Sequence, residues 1–568
     1  MESQRNLILI ALAIVTYLLF VEWQKDYAPA TNPVVSQTAE VPTGNDVPSF
    51  SETEESGTGD IPQEVSTHTQ AKLKVSKELI SIATDVLEVK IDPQGGDIVE
   101  ALLKNYPEKL ETPDVPVTIL RSSDNRTYTA MSGLVGEGMP ETVEPRAIYA
   151  TESPSYTLLE SENNLEVVLT WKNANGVEIR KIFNFERGSY LVDVNYQINN
   201  QSSETLNANF FAQLKRDQIP EPKAEGAGLG IQAYLGSAYS TKDKLYERYD
   251  FDDMNDENLN VTTQGGWIAY LQHYFISAWI PNQNQTNSIS TVTPNGMGII
   301  RVLTPAVSIA PGQIEVVGAQ LYVGPKIQSD LEEIAPGLDL TVDYGFLWWI
   351  GQPLFWLLTW FEWLLGNWGL AIIMVTLTVK TAFYPLSNAQ YRSFARMRAL
   401  QPKLTALKDR YGDDRQKMSQ AMMELYKKEK VNPLGGCFPI LLQMPVFIAL
   451  YWVLMESVEL RHADFYLWIN DLSAMDPYYI LPLLMGASMF LMQKMQPTAP
   501  NMDPMQQKIL QFMPVIMTVF FLFFPAGLVL YWLVNNLLSI AQQLYVTKKI
   551  EREDAEKAAA KKGKKKNK

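Results

Sequence analysis

Between Leu73 and Val323 apolar and polar residues alternate with a period of two. Leu165, Val167, Leu169 and Trp171 occupy every second position, and Asn173 to Gly176 then turns the chain. Val177 and Ile179 lead into Ile182 and Phe185, Glu186-Arg187-Gly188 makes a second turn, and Tyr190, Val192, Val194, Tyr196 and Ile198 alternate again. Successive side chains of a strand point to opposite faces, so this pattern predicts antiparallel strands with one buried face. Asn175-Gly176 is a strong hairpin signal. Many such strands over this length predict a large all-β sandwich.

Beyond Tyr344 the pattern lengthens to helical runs. Trp356, Trp360 and Trp363 recur at i, i+4 and i+7 and share one helical face, behind Trp348 and Trp349. The run Leu354 to Leu365 is too short to span a bilayer, and tryptophan prefers the headgroup level. An amphipathic helix lying on the outer leaflet is expected over Phe346–Leu365, joined by Gly366-Asn367 to the next segment. Trp368 to Leu386 reads as a spanning helix that carries Lys380 inside its apolar run. An ammonium there costs about 2.5–3.5 kcal/mol at mid-bilayer on insertion scales, so it either snorkels to the headgroups or serves a polar cavity.

Ser387 to Val431 is polar and basic. Tyr391, Phe394, Leu400, Leu404 and Leu407 mark one helical side, Gly412-Asp413-Asp414 turns the chain and caps a helix, and Met418, Met422, Leu425 and Tyr426 form a second stripe. An antiparallel helical hairpin or a solvated coiled-coil loop fits this pattern. Four more apolar runs follow, at Phe438–Met455, Tyr478–Met492, Ile509–Phe524 and Leu528–Tyr545, with a tight turn at Pro525-Ala526-Gly527. At the other end, Arg5 precedes an apolar run from Leu7 to Val21 that Glu22, Trp23 and Lys25 close. It reads as an uncleaved signal anchor, although Ala28-Pro29-Ala30 resembles a cleavage site. Ala28 to about Thr69 has too few apolar residues to offset chain entropy and is expected to be a disordered tether.

Charge orients these segments. The 568 residues carry a net charge of −15, with acids crowding the first half and Lys and Arg dominating 392–430 and 548–568. The positive-inside rule places the hairpin, the Gln496–Lys508 loop and the tail in the cytoplasm, and the β domain and the 456–479 loop outside. Six spans with both ends inside satisfy every loop if the Trp-rich helix does not cross. Mean hydropathy of −0.10 averages a polar half and a membrane half and describes neither. A single cysteine, Cys437, excludes an intrachain disulfide. Catalytic and metal chemistry find no constellation. His68 and His273 lack ligand spacing, no paired-carboxylate or Ser-His arrangement stands out, and Gly226–Gly230 misses the last glycine of GxGxxG and reads as a flexible loop. No enzyme activity, metal or cofactor is expected.

NPLGGCFPILLQMPVF (Asn432–Phe447), DLSAMDPYYILPLLMG (Asp471–Gly486), DPMQQKILQFMPVIMTVFF (Asp503–Phe521) and FPAGLVLYW (Phe524–Trp532) closely resemble the YidC/Oxa/Albino family of membrane protein insertases, in its Gram-negative form. The resemblance is specific over about 344–545 and architectural in the β domain. It implies a multi-pass α-helical protein of the inner membrane, with six transmembrane helices, a five-helix insertase core and a periplasmic supersandwich. The divisions it implies are an anchor (1–27), a tether (28–72), the β domain (73–325), a linker with the interfacial helix (326–367), helix 2 (368–386), the hairpin (387–436), helices 3–6 (437–547) and a basic tail (548–568). It further implies a hydrophilic groove, open to the cytoplasm and closed outside, with a positive residue on its first core helix.

Lys380 takes that place, where the family more often has arginine; lysine keeps the charge without the planar fork. Thr376, Gln443, Gln511, Tyr531 and Asn535 are the polar groove candidates, each of which also suits an interhelical hydrogen bond. Met444, Phe447 and Phe520 resemble the family's apolar contact surface for an incoming segment, or serve as ordinary packing. The implied partners are nascent membrane proteins, the Sec translocon, ribosomes through the basic tail and cytoplasmic loops, and the lipid bilayer. Two other classes fit less of the chain. A secondary transporter would use the intramembrane lysine but usually shows internal repeats, which are absent here. An envelope enzyme would act through the β domain, whose fold alone gives no function.

Overall fold

The computed structural model describes residues 47–48, 78–123, 125–141, 145–219, 234–411, 414–429, 438–496 and 504–566. The expected anchor, nearly all of the tether, the glycine loop at 226–230 and Cys437 lie outside the described residues.

Among the described residues, strands between Ile80 and Pro325 form one sheet of eleven strands and one of nine. Pairing is antiparallel throughout except where Ile80–Ala83 runs parallel to Ser155–Thr157. Leu191–Asn200 lies between Val177–Glu186 and Ile314–Pro325 in the second sheet. The two sheets close face to face. Tyr196 of one packs 5.6 Å from Phe210 of the other, and Trp279 Nε1 donates across the gap to the Gln213 carbonyl at 3.1 Å. The alternation at 190–198 holds, with Tyr190, Val192, Val194, Tyr196 and Ile198 all buried.

One strand corrects its apolar reading. In Val177–Glu186 the inward positions are Val177, Ile179, Lys181, Phe183 and Phe185, and Ile182 faces outward. Strict period two from Val177 places a lysine inside, and the pleat overrides the polarity of one residue. Lys181 Nζ donates to the carbonyls of Gly95 and Ser132, both at 3.2 Å, and lies over the Phe183 and Tyr196 rings. Burial pulls its ammonium down to about 7. Arg146, paired with Asp97 and with Glu141, completes this interior cluster.

The helical region starts after two short helices, α1 (Phe251–Asp256) and α2 (Gln328–Ile334). Helix α3 (Trp348–Leu365) buries Leu354, Leu358 and Phe361 and leaves Trp356, Trp360 and Trp363 exposed, as the tryptophan spacing predicts. Gly366 ends it in the left-handed region at φ 62°, where glycine carries no Cβ penalty. The Asn367 side chain then caps α4 (Trp368–Ala382) by accepting from Leu370 N.

Helix α4 stops at Ala382, short of Leu386. Phe383 is non-helical, and Pro385 lies in the first turn of α5 (Tyr384–Ala399), a position it suits because the early N–H groups have no partner. The two helices meet at 69°. Helices α6 (Gln401–Tyr411) and α7 (Arg415–Lys428) form the basic hairpin around Leu400 and Leu404, against which Met397, Met422, Leu425 and Tyr426 pack. Asp414 caps α7, as its position predicts.

The last four apolar runs become α8 (Phe438–Glu456), α9 (Ile480–Met495), α10 (Pro504–Phe521) and α11 (Ala526–Lys566). Among the described residues no single helix is long and apolar enough to cross a membrane, and only the bent pair α4–α5 passes jointly. In α11 the residues Asn535, Asn536, Gln542 and Gln543 interrupt the apolar run. Helix α11 packs on α4, α5, α8 and α9, whereas α10 packs chiefly on α9. Gly486 makes that last contact possible, because a Cβ there would overlap the Thr518 hydroxyl.

The β sandwich sits on the segment 456–479. Lys326 Nζ meets Glu456 at 3.0 Å with both side chains about 2–3 % exposed. His273 Nε2 reaches the Met455 carbonyl at 2.8 Å, and Arg461 Nη2 donates to the carbonyls of Pro107 and Glu108 at 2.7 and 3.0 Å. The same segment is stitched to the turn before α11. Ala526 N donates to the Ala474 carbonyl at 2.7 Å and Gly527 N to that of Leu472 at 2.8 Å.

Candidate functional site

Lys380 occupies the last turn of α4 and is partly buried. Its Nζ donates to Ser539 Oγ of α11 at 2.8 Å. Ser539 in turn donates to the Asn535 carbonyl at 2.6 Å, and the Tyr391 hydroxyl of α5 also bears on it. Among the described residues no carboxylate pairs with Lys380. Within the described residues this ammonium amid apolar helices therefore rests on a hydroxyl. This contact aims the lysine toward α11.

Of the other polar candidates, Thr376 is buried one turn before Lys380, but its hydroxyl donates to the Ile372 carbonyl of its own helix at 2.7 Å. That is the local back-bond common to mid-helix threonine. Gln443 Nε2 on α8 donates to Ser387 Oγ on α5 at 3.3 Å and so ties these two helices together. Asn535 contributes its backbone carbonyl to the Lys380–Ser539 chain. Tyr531 is buried with its ring stacked on Phe447 at 6.0 Å. Gln511 stands apart, exposed on α10, which packs on α9 and not on α4.

The apolar candidates divide in the same way. Met444 is exposed. Phe447 packs edge-on to Trp532 at 4.4 Å, and Phe520 packs on Phe524 at 4.7 Å, so both are at least partly structural.

Sequence reasoning missed the polar stripe beside these residues. Asn536, Ser539 and Gln543 are all buried on one face of α11, at i, i+3 and i+7. Asn536 Nδ2 donates to Ser488 Oγ of α9 at 3.0 Å, and Gln543 Nε2 to the Met495 carbonyl at 3.1 Å. Their spacing was the available signal. Asn535 lies one position before the stripe. His273, which lacks ligand spacing in the sequence, joins the sandwich to Met455.

Around this seam the outer surfaces of α9 and α10 are apolar and open. Leu483, Leu484 and Leu491 of α9 and Ile509, Phe512, Val515, Ile516 and Val519 of α10 are exposed. Exposed apolar side chains grouped on two neighbouring helices suit contact with a membrane or a partner. Among the described residues the helices thus combine a polar seam that includes Lys380 with apolar flanks.

The model of the YidC periplasmic domain matches residues 79–357, and that of the 60Kd inner membrane protein matches 360–554. Curated relatives named membrane protein insertase YidC span nearly the whole chain. That of Ectopseudomonas mendocina (strain ymp) is 49 % identical over 97 % of this chain and 99 % of its own. That of Stutzerimonas stutzeri (strain A1501) is 51 % identical over 97 % of this chain and 99 % of its own. That of Shewanella baltica (strain OS195) is 52 % identical over 96 % and 98 %. A solved structure described as an active YidC insertase with the first transmembrane domain resolved covers 82 % of this chain and 92 % of its own, at 19 % identity and a TM-score of 0.38. The assignment rests on the sequence matches: with half its residues identical to these relatives across nearly their whole length, the chain belongs to the YidC family of membrane protein insertases.

Proposed function

We propose that this chain inserts membrane proteins into the inner membrane of a Gram-negative bacterium, using the polar seam at Lys380 as a water-accessible groove. Membrane protein insertion is the family's activity and the activity of this chain. The observation that carries the groove reading is Lys380 held on Ser539 with no carboxylate partner among the described residues. An unneutralised cation in poorly screened surroundings attracts an acidic flank of a nascent chain. Polar groups of α4, α8 and α11 offer that flank hydrogen bonds, while the client's apolar segment partitions into lipid along exposed α9 and α10. No bond is made or broken. Hydrophobic transfer does the work, aided by the membrane potential acting on a negative flank.

The same proposal takes six spans with both termini cytoplasmic. The anchor (1–27) and tether (28–72) lead to a periplasmic supersandwich (73–325), and a linker with the interfacial helix (326–367) follows, the helix lying on the outer leaflet. Helix 2 (368–386) and helices 3–6 (437–547) enclose the groove, with the hairpin (387–436) and tail (548–568) inside. The basic tail suits ribosomal RNA phosphates, and the Sec translocon is assigned to the sandwich as a partner on the outer side. Ribosome co-sedimentation across salt concentrations, with and without Glu553–Lys568, and capture of Sec components check these two partners.

The groove itself is tested by inserting one client with acidic or neutral flanks through Lys380→Arg, Lys380→Ala and Lys380→Glu variants at equal membrane abundance. Lys380→Arg is expected to retain insertion, Lys380→Glu to lose acidic-flank clients most, and Lys380→Ala to fall between. An acidic-to-neutral ratio that stays the same across all three would return Lys380 to a snorkelling role.

A further inference from the structure

The turn at Phe465–Ile469 presents an unusual tip. Leu467 is 86 % exposed and holds φ 65°, and Tyr466 beside it is also exposed. Leucine in the left-handed region is strained, because its Cβ crowds the following carbonyl. Among the described residues, three of the four non-glycine residues with positive φ, His462, Leu467 and Tyr479, fall between Glu456 and Ile480. The surroundings enforce the shape of this turn. Phe465 N donates to the Ile469 carbonyl at 2.9 Å, Ile469 N to that of Tyr466, and Trp468 Nε1 to Asp476 Oδ1 at 3.0 Å. Phe465 lies so close over Gly369 that a Cβ there would overlap its ring. Asn367 Nδ2 donates to the Asp464 carbonyl at 3.3 Å.

These contacts place the tip at the junction of α3 and α4. Trp363, 77 % exposed, and the exposed Leu364 and Leu365 end α3 immediately before Gly366 and Asn367. We propose that Tyr466 and Leu467 form a rigid wedge that enters the outer leaflet beside the C-terminal end of α3, with lipid as its partner. The inference rests on the reading that α3 lies on the outer leaflet with segment 456–479 outside. Continuity with the exposed tryptophan face selects lipid as the occupant. Tyr466 has the amphipathic form suited to the headgroup level, and Leu467 reaches into the acyl region. Strain that water would not repay is offset when the leucyl side chain leaves water. The wedge, α3 and the sandwich are joined through one segment, since Arg461, five residues before Tyr466, carries the contact to Pro107 and Glu108.

The test uses the full chain in lipid vesicles, in a Cys437→Ser background, with one bimane-labelled cysteine at a time. The vesicles contain lipids with a nitroxide near the headgroup end of the acyl chain. Leu467→Cys is the probe and Leu377→Cys, exposed on α4, the membrane reference. Ile314→Cys is the reference remote from the membrane, because Ile314 starts the strand whose other end, Pro325, precedes the joint residue Lys326. Quenching of the Leu467→Cys label several-fold above that at Ile314→Cys, comparable to Leu377→Cys, is the expected result. Quenching at Leu377→Cys with none at Leu467→Cys overturns the wedge and leaves the membrane reading standing. Absence of quenching at both overturns the two together.

Discussion

At the scale of single residues, the charged side chains that matter most are the ones held away from water. Glu459 lies between the sandwich and the helices, and burial pushes its carboxyl up to about 7, with Asp330 adding to the shift. Below the ordinary value of 4.5 the group is protonated whether the chain is folded or not. Between about 4.5 and about 7 the unfolded chain releases a proton that the folded chain keeps, so folding weakens as pH rises through this window. The full span corresponds to up to about 3 kcal/mol. The melting temperature of the detergent-solubilised chain should therefore fall from about pH 5 to about pH 8 more than that of Glu459→Gln, which is neutral throughout. Parallel pH profiles of the two proteins would remove Glu459 as a source of the dependence. Lys181 teaches a related lesson about reading sequence. Its position was legible from the period of two, but its burial was masked by its charge, and only the facing carbonyls of Gly95 and Ser132 explain how it is tolerated.

At the scale of elements, hydrophobic pattern located most helices, and the ends were decided by caps and breaks. The tryptophan spacing of α3 alone separates its exposed face from the buried Leu354, Leu358 and Phe361. A helix of 18 residues extends about 27 Å, long enough to cross, so length does not settle where α3 lies. Its exposed tryptophans favour the surface. Labelling single cysteines with an impermeant reagent in whole cells decides the matter: Tyr478→Cys should react from outside and Ala389→Cys only after the inner membrane is opened. Both side chains are exposed, so accessibility within the protein does not limit either reaction. Outside reaction at Ala389→Cys would mean that α3 crosses and would break the six-span plan. The break at Phe383 escaped the apolar pattern, which runs on through Tyr384. Proline in the first turn of α5 marks it instead.

At the scale of the whole molecule, the sandwich and the helices meet through a few buried polar contacts. Lys326 and Glu456 are the most enclosed of these. Removing one partner of such a pair leaves an uncompensated charge, at a cost of about 3–5 kcal/mol, whereas replacing both with apolar side chains is often close to neutral. Lys326→Ala should therefore loosen the joint and raise hydrogen exchange in both Ile314–Pro325 and Val458–Leu460. The double variant Lys326→Met/Glu456→Met should recover much of the protection. Unchanged exchange in the single variant would show that His273, Arg461 and the apolar packing hold the joint without the ion pair.

Alternation, tryptophan spacing and apolar runs are local, and they determined a β sandwich followed by helices because strand and helix periods are written in consecutive residues. The placement of a cation on α4 was equally legible. Its partner was not, because Lys380 and Ser539 are far apart in the chain and are brought together only when α4 packs on α11. Packing of α11 against α4 on one side and α9 on the other turned Asn536, Ser539 and Gln543 into a buried stripe and left Gln511 outside it. The docking of Lys326 on Glu456 and the strained tip at Leu467 likewise depend on contacts between distant segments, which no window of sequence contains.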